Sequence, residues 1–501
     1  MDQITKLIME QETLRSRTLK GTFWSAADAF LGQGVSFLVG IVLARLLSPD
    51  EYGLIGICLI FTTVLNGIVD SGFSSALIRK KEVSQTDYNT MFFTNLATSG
   101  VLYLFLFFCA PFVSHFFGRS ELIPLVRAMG CVLFLNALSI TQYTVLTKRL
   151  DFKTKTKASL ASAVGSGVIG IVMAYMGLGV WSLVAQQLSK QLLYAVCLWV
   201  LNRWKPSRDF SKESFRYMWG FGSKMMLSGL LNNIWNELYK VVVGKFYSPA
   251  TLGQYTRSSE YASIFSSNLT SIVQRVSYPA LAEIQDDKER MVAAYRKVIK
   301  VTMFVTCICM FSLGAVAEPL IYCLIGPQWH EAATYLPLIC LSMVLYPLHS
   351  INLNMLQIQG RSDIFLYLEI IKKFIGIIPL TIGAIFNIYW MLVASIISGI
   401  IAFFLNSYYT GKKLGYSSWM QLKDVAPDFG IATAVAMSVY FLKYLPISNW
   451  CILPLQVAVG LCIFLLSNEK IKLPEYLEIK IILLGMIIKH KRIQDGEQGK
   501  I

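Results

Sequence analysis

The sequence predicts an all-α polytopic membrane protein with about 14 transmembrane helices. Hydrophobic residues make up 55% of its 501 residues and charged residues only 15%, against roughly 25% charged residues in a typical soluble domain. Apolar stretches of about 18 residues or more recur along the chain, and each is long enough to cross a hydrocarbon core of about 30 Å. Because lipid cannot satisfy open backbone groups, a chain of this composition crosses the membrane as helices.

The individual helices follow from apolar runs that end at polar breaks. The first run is not preceded by the short apolar segment and cleavage site of a secretory signal, so we expect it to insert and remain. The predicted helices cover residues 20–44, 52–69, 90–113, 123–146, 158–176, 179–200, 217–243, 251–275, 298–325, 334–357, 364–386, 389–409, 425–443 and 450–467.

Basic residues are concentrated in alternate loops. With the N-terminus placed inside, the inside loops include Arg79, Lys80 and Lys81 and the segment NRWKPSRDFSKESFR at 202–216. Few basic residues fall in the outside loops, namely Arg45, Arg119, Lys245 and Lys443. Cytoplasmic loops are enriched in Lys and Arg, so both termini are predicted to be cytoplasmic. The net charge of +15 therefore reflects membrane orientation, and no nucleic acid partner is expected.

Short signals recur in order about 200 residues apart, which indicates an internal repeat. SPDEYG at 48–53 returns as SPATLG at 248–253, and each ends one helix and starts the next. Two further sets match: Arg149 and Asp151 with Arg361 and Asp363, and Trp181 with Trp390. We infer two repeats of six helices. An even helix number inserts both repeats the same way up, an arrangement used by secondary transporters.

This repeat sets the predicted domains and the predicted site. Secondary transporters place the substrate at the repeat interface, so we expect two parallel six-helix lobes around a central cavity. The predicted segments are an N-terminal lobe at 1–201, a cytoplasmic linker at 202–216, a C-terminal lobe at 217–410, two extra helices at 411–467 and a cytoplasmic tail at 468–501.

Several cationic residues lie in the predicted helices, where a charge at the bilayer centre costs about 2.5–3.5 kcal/mol. Because Lys and Arg bind phosphate, we interpret these cations as the lining of a water-filled cavity for an anionic head group. The candidate substrate-binding residues are Arg257, Lys372, Lys373, Lys240 and Lys224.

A second interpretation pairs these charges within their own helices. Arg257 with Glu260, and Glu369 with Lys373, have the spacing of intrahelical ion pairs. Lys224 and Lys240 could instead extend to the interface. Intramembrane carboxylates are also candidates for H⁺ or Na⁺ coupling. The candidate coupling residues are Asp28, Glu237, Glu260 and Glu369.

Signals of catalysis are missing from the sequence. The four histidines are scattered, and no HExxH, GxSxG or Walker motif occurs. The ten cysteines lie almost entirely in apolar segments without a CxxC spacing. We therefore predict that the protein is not an enzyme and holds no metal and no cofactor, apart from a coupling ion.

Three stretches carry a family resemblance: residues 21–81 (GTFWSAADAFLGQGVSFLVGIVLARLLSPDEYGLIGICLIFTTVLNGIVDSGFSSALIRKK), GLGVWSLVA at 177–185 and KRLDF at 148–152. Together with the plan of six plus six plus two helices, they resemble the polysaccharide flippases of the multidrug/oligosaccharidyl-lipid/polysaccharide (MOP) exporter superfamily. These are the bacterial Wzx-type and teichuronic-acid-type exporters, related in fold to the multidrug and toxin extrusion (MATE) transporters. The resemblance covers essentially the whole chain.

The resemblance implies a substrate and a cellular location. It implies flipping of undecaprenyl-diphosphate-linked oligosaccharide across the bacterial cytoplasmic (inner) membrane by alternating access, with Arg257, Lys372 and Lys373 as suitable cavity cations. The expected partners are the lipid-linked oligosaccharide, membrane lipids, and polysaccharide polymerase and chain-length proteins. Helices 13 and 14 would help to form a groove for the lipid tail.

Two other functions remain open at this stage. An ion-coupled multidrug antiporter of the same superfamily would need a cavity dominated by acidic residues, whereas the predicted cavity is basic. A membrane polysaccharide polymerase or ligase would need a large outside loop for its catalytic groups, and the predicted loops are short.

Overall fold

The computed structural model describes Trp24 and residues 31–481, and every secondary-structure element in these ranges is a helix. The candidate Asp28 lies outside the described residues. The first nine helices are α1 (Leu31–Leu46), α2 (Pro49–Val69), α3 (Phe73–Arg79), α4 (Gln85–Phe117), α5 (Leu122–Lys148), α6 (Phe152–Tyr175), α7 (Val180–Leu201), α8 (Lys212–Phe246) and α9 (Pro249–Ser263).

A π-helical segment, Ile264–Asn268, joins α9 to the next helix without a break. The remaining helices are α10 (Leu269–Glu283), α11 (Lys288–Ala315), α12 (Ala317–Leu324), α13 (His330–Met343), α14 (Tyr346–Ile358), α15 (Ser362–Ile385), α16 (Ile388–Leu414), α17 (Ser418–Tyr440) and α18 (Asn449–Ile471). Short 3₁₀ segments occur at Pro327–Trp329 and Phe441–Tyr444.

Nine helical stretches in the described ranges are long and apolar enough to cross a membrane. The predicted spans 20–44, 179–200, 217–243, 251–275 and 364–386 are not among them. The described part of the first, α1, is a shorter apolar helix, and α8, α9–α10 and α15 carry the charged and hydroxyl side chains discussed below. The protein is therefore an all-α multi-pass membrane protein, and the number of fourteen spans stays a prediction.

Two predicted helices are each divided in two. The predicted helix 298–325 breaks at Val316 and resumes as α12, whose third residue is Pro319. The predicted helix 334–357 breaks before α14, which has Pro347 in its first turn. Proline has no backbone N–H, so it disrupts a helix interior and is tolerated in a first turn. Hydropathy alone does not register these breaks.

The contacts divide the chain into two compact units, Met1–Gly253 and Gln254–Ile501. In the first unit, α4 packs on α5 and α6 packs on α7, and α2 contacts α4, α5, α7 and α8. In the second unit, α11 contacts α13, α14 and α17, and α16 contacts α13, α14 and α15. The predicted lobe and linker boundaries stay a prediction.

The repeated Ser-Pro signals begin α2 and α9 in the same way. Ser48 accepts a hydrogen bond from the Glu51 backbone as the N-cap of α2, and Ser248 accepts one from the Thr251 backbone at 3.1 Å. Such a cap satisfies an N–H group that the first turn leaves without a partner. The predicted helix starts are confirmed here.

Gly53 of the first signal lies against the start of α9, and Gly253 of the second signal lies against the start of α2. A Cβ atom on Gly53 would lie 1.7 Å from the Pro249 carbonyl oxygen, and one on Gly253 would lie 2.1 Å from the Pro49 carbonyl oxygen. Only glycine permits this backbone approach, because any side chain would overlap the carbonyl. The two copies of the signal therefore contact each other reciprocally inside the first unit.

Candidate functional site

The charged residues of α8 form one close pair in the first unit. Lys240 Nζ lies 2.9 Å from Glu237 Oε2. Glu237 is buried, with 8% of its surface exposed, whereas Lys224, four turns earlier, is exposed. A buried carboxylate is stabilised by a cation at this distance. The structure therefore joins two of the predicted residues, Glu237 and Lys240, and leaves Lys224 apart from them.

Helix α9 is anchored to α13 by its polar side chains. Gln254 donates to the Gln328 carbonyl at 2.8 Å and accepts from the Ala332 N–H at 2.9 Å. Ser258 donates to the Ala332 carbonyl at 2.9 Å. Buried polar side chains of this kind satisfy backbone groups and fix the position of a helix. They hold the turn of α9 that carries Arg257 and Glu260.

Arg257 pairs with Glu260 within α9. The Arg257 Nη1 atom donates to Glu260 Oε2 at 2.6 Å, as the second interpretation of the sequence expects. The Arg257 side chain is 15% exposed and the Glu260 side chain is 54% exposed. The guanidinium is thus mostly enclosed, while its carboxylate partner stays accessible. A competing anion could replace an exposed carboxylate at such a cation.

On α15, Glu369 pairs with Lys372, three residues later. The predicted pair of Glu369 with Lys373 is therefore wrong. Spacings of three and four both bring side chains to neighbouring positions on a helix, so sequence spacing cannot choose between them. Lys373 is half-buried, and no ion pair joins it to another described residue.

Two further helices of the second unit surround this pair. His349 on α14 lies within electrostatic range of Lys372, and Tyr346 lies within range of Glu369. Tyr346 also hydrogen bonds to Ser350, which accepts from Gln274 on α10. The histidine Nδ1 is buried without a hydrogen-bond partner in the described structure. Lys372 and Glu369 therefore belong to a polar cluster built by α10, α14 and α15.

Sequence analysis missed the polar members of this cluster. His349 was counted only as a scattered histidine without a motif, and Gln274 and Ser350 were not singled out. Gln274 and Ser350 are 76 residues apart along the chain. No spacing signal could have joined them.

A second charged network lies along α11 and α17, and the sequence did not indicate it. Arg296 donates to Asp424 through Nη2 at 2.5 Å, and the Tyr416 hydroxyl donates to the same carboxylate at 2.7 Å. One turn further, Lys300 pairs with Glu475 at 2.5 Å. Asp428 is buried close to both of them. These pairs join the helices that follow the predicted C-terminal lobe to α11.

The two RxD signals of the repeat have different contacts. Asp151 caps α6 and accepts from the Thr154 N–H at 3.0 Å. Asp363 accepts two hydrogen bonds from the Arg361 guanidinium, one of them at 2.7 Å. The hydrogen bonds from this guanidinium lower the pKa of the Asp363 carboxyl to about 2. The two aspartates therefore share a position in the repeat and differ in their partner.

Comparison with known proteins agrees with this architecture. The family described as "Polysaccharide biosynthesis protein" matches residues 42–334, which is more than half of the chain. The succinoglycan biosynthesis transport protein ExoT of Rhizobium meliloti (strain 1021) is 29% identical over 331 residues, 66% of this chain and 67% of the relative. The lipopolysaccharide biosynthesis protein WzxC of Escherichia coli (strain K12) is 22% identical over 404 residues, 78% of this chain and 81% of the relative.

Among solved structures, the lipid II flippase MurJ in an inward closed conformation superposes with a TM-score of 0.68. The two chains are 16% identical, and the match covers 90% of this chain and 99% of the flippase. This likeness shows the fold, which is MurJ-like and MATE-like. The predicted family is confirmed. The chain belongs to the polysaccharide biosynthesis protein family and is a multi-pass membrane protein.

Proposed function

We propose that this protein flips undecaprenyl-diphosphate-linked oligosaccharide repeat units across the bacterial inner membrane by alternating access. Family membership and a fold shared with a lipid II flippase support this function. The observation that carries the proposal is the set of cation–carboxylate pairs on α8, α9 and α15. A saccharide diphosphate is a large anion, and its transfer requires cations on membrane-crossing helices.

The proposal includes the finer architecture predicted from the repeat. The chain would cross the membrane fourteen times, as lobes at 1–201 and 217–410 around a central cavity, followed by two helices at 411–467. Both termini would be cytoplasmic, as the distribution of basic loops favours. Polysaccharide polymerase and chain-length proteins would receive the translocated unit.

The pairs provide a mechanism for reversible anion binding. A cation alone in a membrane helix is costly, and a neighbouring carboxylate offsets that cost while the site is empty. An incoming diphosphate would replace Glu260 at Arg257 and Glu369 at Lys372, because phosphate offers more acceptor oxygens to these donors. The displaced carboxylate would take up H⁺ or Na⁺, which couples substrate binding to an ion gradient. Lys373 and Lys240 would supply further positive charge.

An ion-coupled multidrug antiporter of the same superfamily is the second candidate. The carboxylate beside each cation favours it, because Glu237, Glu260 and Glu369 could each bind a cationic drug. The two functions differ in which half of a pair is indispensable. A flippase for diphosphates depends on the cation, and a cation antiporter depends on the carboxylate.

Charge reversal tests the proposal. Arg257→Glu and Lys372→Glu would each be expressed in a strain lacking the chromosomal copy, and surface polysaccharide would be measured together with the amount of protein in the membrane. We expect each substitution to abolish export at an unchanged protein level. Lipid-linked units should then accumulate in the cytoplasmic leaflet.

The matched control is Arg361→Glu. Arg361 also pairs with a nearby carboxylate, Asp363, but both side chains are substantially exposed, at 43% and 64%. Export should be close to normal in this variant. Near-normal polysaccharide in both Arg257→Glu and Lys372→Glu would remove these residues from the site. Loss in the control as well would assign the effect to charge reversal in general.

A further inference from the structure

A basic cavity lies between the end of α3 and the beginning of α8, within the first unit. It has a volume of about 300 Å³, and its lining residues are Ala76, Arg79, Lys80, Lys81, Tyr217 and Phe221. This volume is at the lower end of the range for small-molecule sites, about 300–1,000 Å³. The cavity is separate from the predicted substrate residues, none of which lines it.

Two glycines bring α3 and α8 together. Gly72 has a positive φ of 67° and separates α2 from α3. A Cβ on Gly72 would lie 2.5 Å from the Gly222 carbonyl oxygen, and a Cβ on Gly222 would lie 2.7 Å from the Ser71 carbonyl oxygen. The backbones can approach this closely because both positions are glycine. The close approach sets the last turn of α3 beside Tyr217 and Phe221.

Aromatic contacts give this junction a rigid wall. Phe73 packs edge-on against Phe215 and Trp219, with ring centroids 6.0 Å and 6.3 Å away. On the cavity side, the Arg79 guanidinium lies 5.1 Å from the Phe221 ring centroid and Lys80 Nζ lies 5.4 Å from that of Tyr217. Such cation–π contacts hold the cationic side chains in place without neutralising them.

Only one of the three cations has a carboxylate partner among the described residues. Lys80 Nζ lies 2.7 Å from Asp87, whose side chain is 1% exposed. Arg79 and Lys81 are exposed and make no ion pair with the part of the chain that the structure describes. The cavity therefore keeps two uncompensated positive charges beside a buried, fixed ion pair.

The negative end of α3 does not oppose an anion here. Lys148 Nζ donates to the Ile78 carbonyl at 2.9 Å and also to the Lys80 carbonyl. The last carbonyls of a helix carry partial negative charge, and a cation placed on them offsets it. Since Lys148 covers these carbonyls, the positive charge of Arg79 and Lys81 remains available to a ligand.

We propose that this cavity binds the diphosphate of the lipid-linked saccharide on the face predicted to be cytoplasmic, as a loading site before translocation. The inference rests on the proposed flippase function and names a binding step of its own. The guanidinium of Arg79 would bind two phosphate oxygens, Lys81 would supply a point charge, and the faces of Tyr217 and Phe221 would cover the first sugar. The same cationic chemistry could attract a phospholipid head group, so the test separates these two sources.

The first experiment measures binding of inorganic pyrophosphate to the purified full-length chain in detergent by titration calorimetry. The test variant is Arg79→Gln with Lys81→Gln, and the matched control is Arg208→Gln with Lys212→Gln. The control also removes one exposed Arg and one exposed Lys from a segment predicted to be cytoplasmic. Because all four side chains are exposed, we expect both variants to fold normally. Thermal unfolding would check this.

We expect the test variant to lose affinity by about tenfold or more, and the control by less than about twofold, because charge-assisted hydrogen bonds are lost only in the cavity. Equal losses in both variants, or no loss in the test variant, would overturn the proposal. They would mean that pyrophosphate binds the basic surface in general.

The second experiment distinguishes the ligand source and the underlying function. Nanodiscs of phosphatidylcholine with or without phosphatidylglycerol would be compared for binding of undecaprenyl diphosphate. Binding that phosphatidylglycerol abolishes would assign the cavity to bulk lipid and overturn the proposal. In proteoliposomes, the test variant should need more substrate for half-maximal translocation while keeping the maximal rate. If the unaltered protein binds pyrophosphate in the cavity but translocates nothing, the flippase function fails and the anion site stands.

Discussion

Gly53 and Gly253 allow the backbones at the starts of α2 and α9 to approach each other closely. Each lies at the same place in a Ser-Pro signal, and each faces the proline carbonyl of the other copy. The repeat was detectable from the sequence, because the same letters recur about 200 residues apart. The contact between the copies was not, since a glycine in a helix start is compatible with many packings.

Alanine at this position gives a direct test of the contact. Gly53→Ala should lower the free energy of unfolding by about 1–3 kcal/mol, because its methyl group must displace the Pro249 carbonyl. The measurement is thermal or denaturant unfolding of the detergent-purified protein. The control is Gly229→Ala in α8, which has open space around its Cβ and should be neutral or stabilising by up to about 1 kcal/mol. Equal stability of the two variants would show that the reciprocal contact is absent.

The charged residues also show which features the sequence reveals and which features only the structure reveals. The sequence predicted Arg257, Lys372 and their neighbouring carboxylates as intramembrane charges, because each falls in a predicted span. It also identified the pair of Arg257 with Glu260. It did not identify Lys372 as the partner of Glu369, because both lysines are within reach of Glu369 on one helix face. The structure shows the choice, since Glu369 pairs with Lys372.

At the scale of elements, α11 and α17 are joined by polar pairs in their N-terminal halves and by apolar packing further along. Arg296 meets Asp424, Lys300 lies near Asp428, and Phe304 packs with Ile431 and Val435. Hydropathy predicted both helices as separate spans. It could not predict their pairing, because the partners are more than 100 residues apart.

We expect the Arg296–Asp424 pair to stabilise this helix pair measurably. Asp424→Asn should lower the free energy of unfolding by about 1–2 kcal/mol, because Arg296 and Tyr416 both lose a charged acceptor whose side chain is only 10% exposed. Unfolding of the purified protein in detergent would measure the change.

Glu478→Gln is the control for that measurement. Glu478 pairs with Lys297, which is the neighbour of Arg296 on α11, and the two charged groups are 2.9 Å apart. The side chains of Glu478 and Lys297 are 41% and 63% exposed. An exposed pair contributes about 0–1 kcal/mol, so this variant should change little. A larger effect of Glu478→Gln than of Asp424→Asn would contradict the view that enclosure of the carboxylate determines the contribution of a pair.

At the scale of the whole molecule, the orientation in the membrane is a prediction from the charge distribution in the loops. The loops around Lys148 and Arg208 are rich in Lys and Arg. Positive loops remain cytoplasmic during insertion. This argument is independent of how the helices pack.

Cysteine labelling checks the orientation. In a cysteine-free background, Arg208→Cys should react with a membrane-impermeant maleimide only after the cells are permeabilised, and Arg119→Cys should react in intact cells. Detection is by gel shift of the labelled protein, with both variants exporting polysaccharide normally. Labelling of Arg208→Cys in intact cells would reverse the predicted topology.

The sequence by itself determined the all-α membrane fold class, the family, the recurrence of the Ser-Pro signals and the list of candidate charged residues. These properties depend on composition, on the length of apolar runs and on short motifs, which can be recognised without knowing how the helices pack. Only the tertiary structure decided that Gly53 meets Pro249, that Glu369 pairs with Lys372, and that Arg79 and Lys81 share a cavity with Phe221. Contacts between helices depend on how each helix is rotated and where it breaks, and many rotations satisfy the same hydropathy pattern. Packing selects one of them, and with it the site.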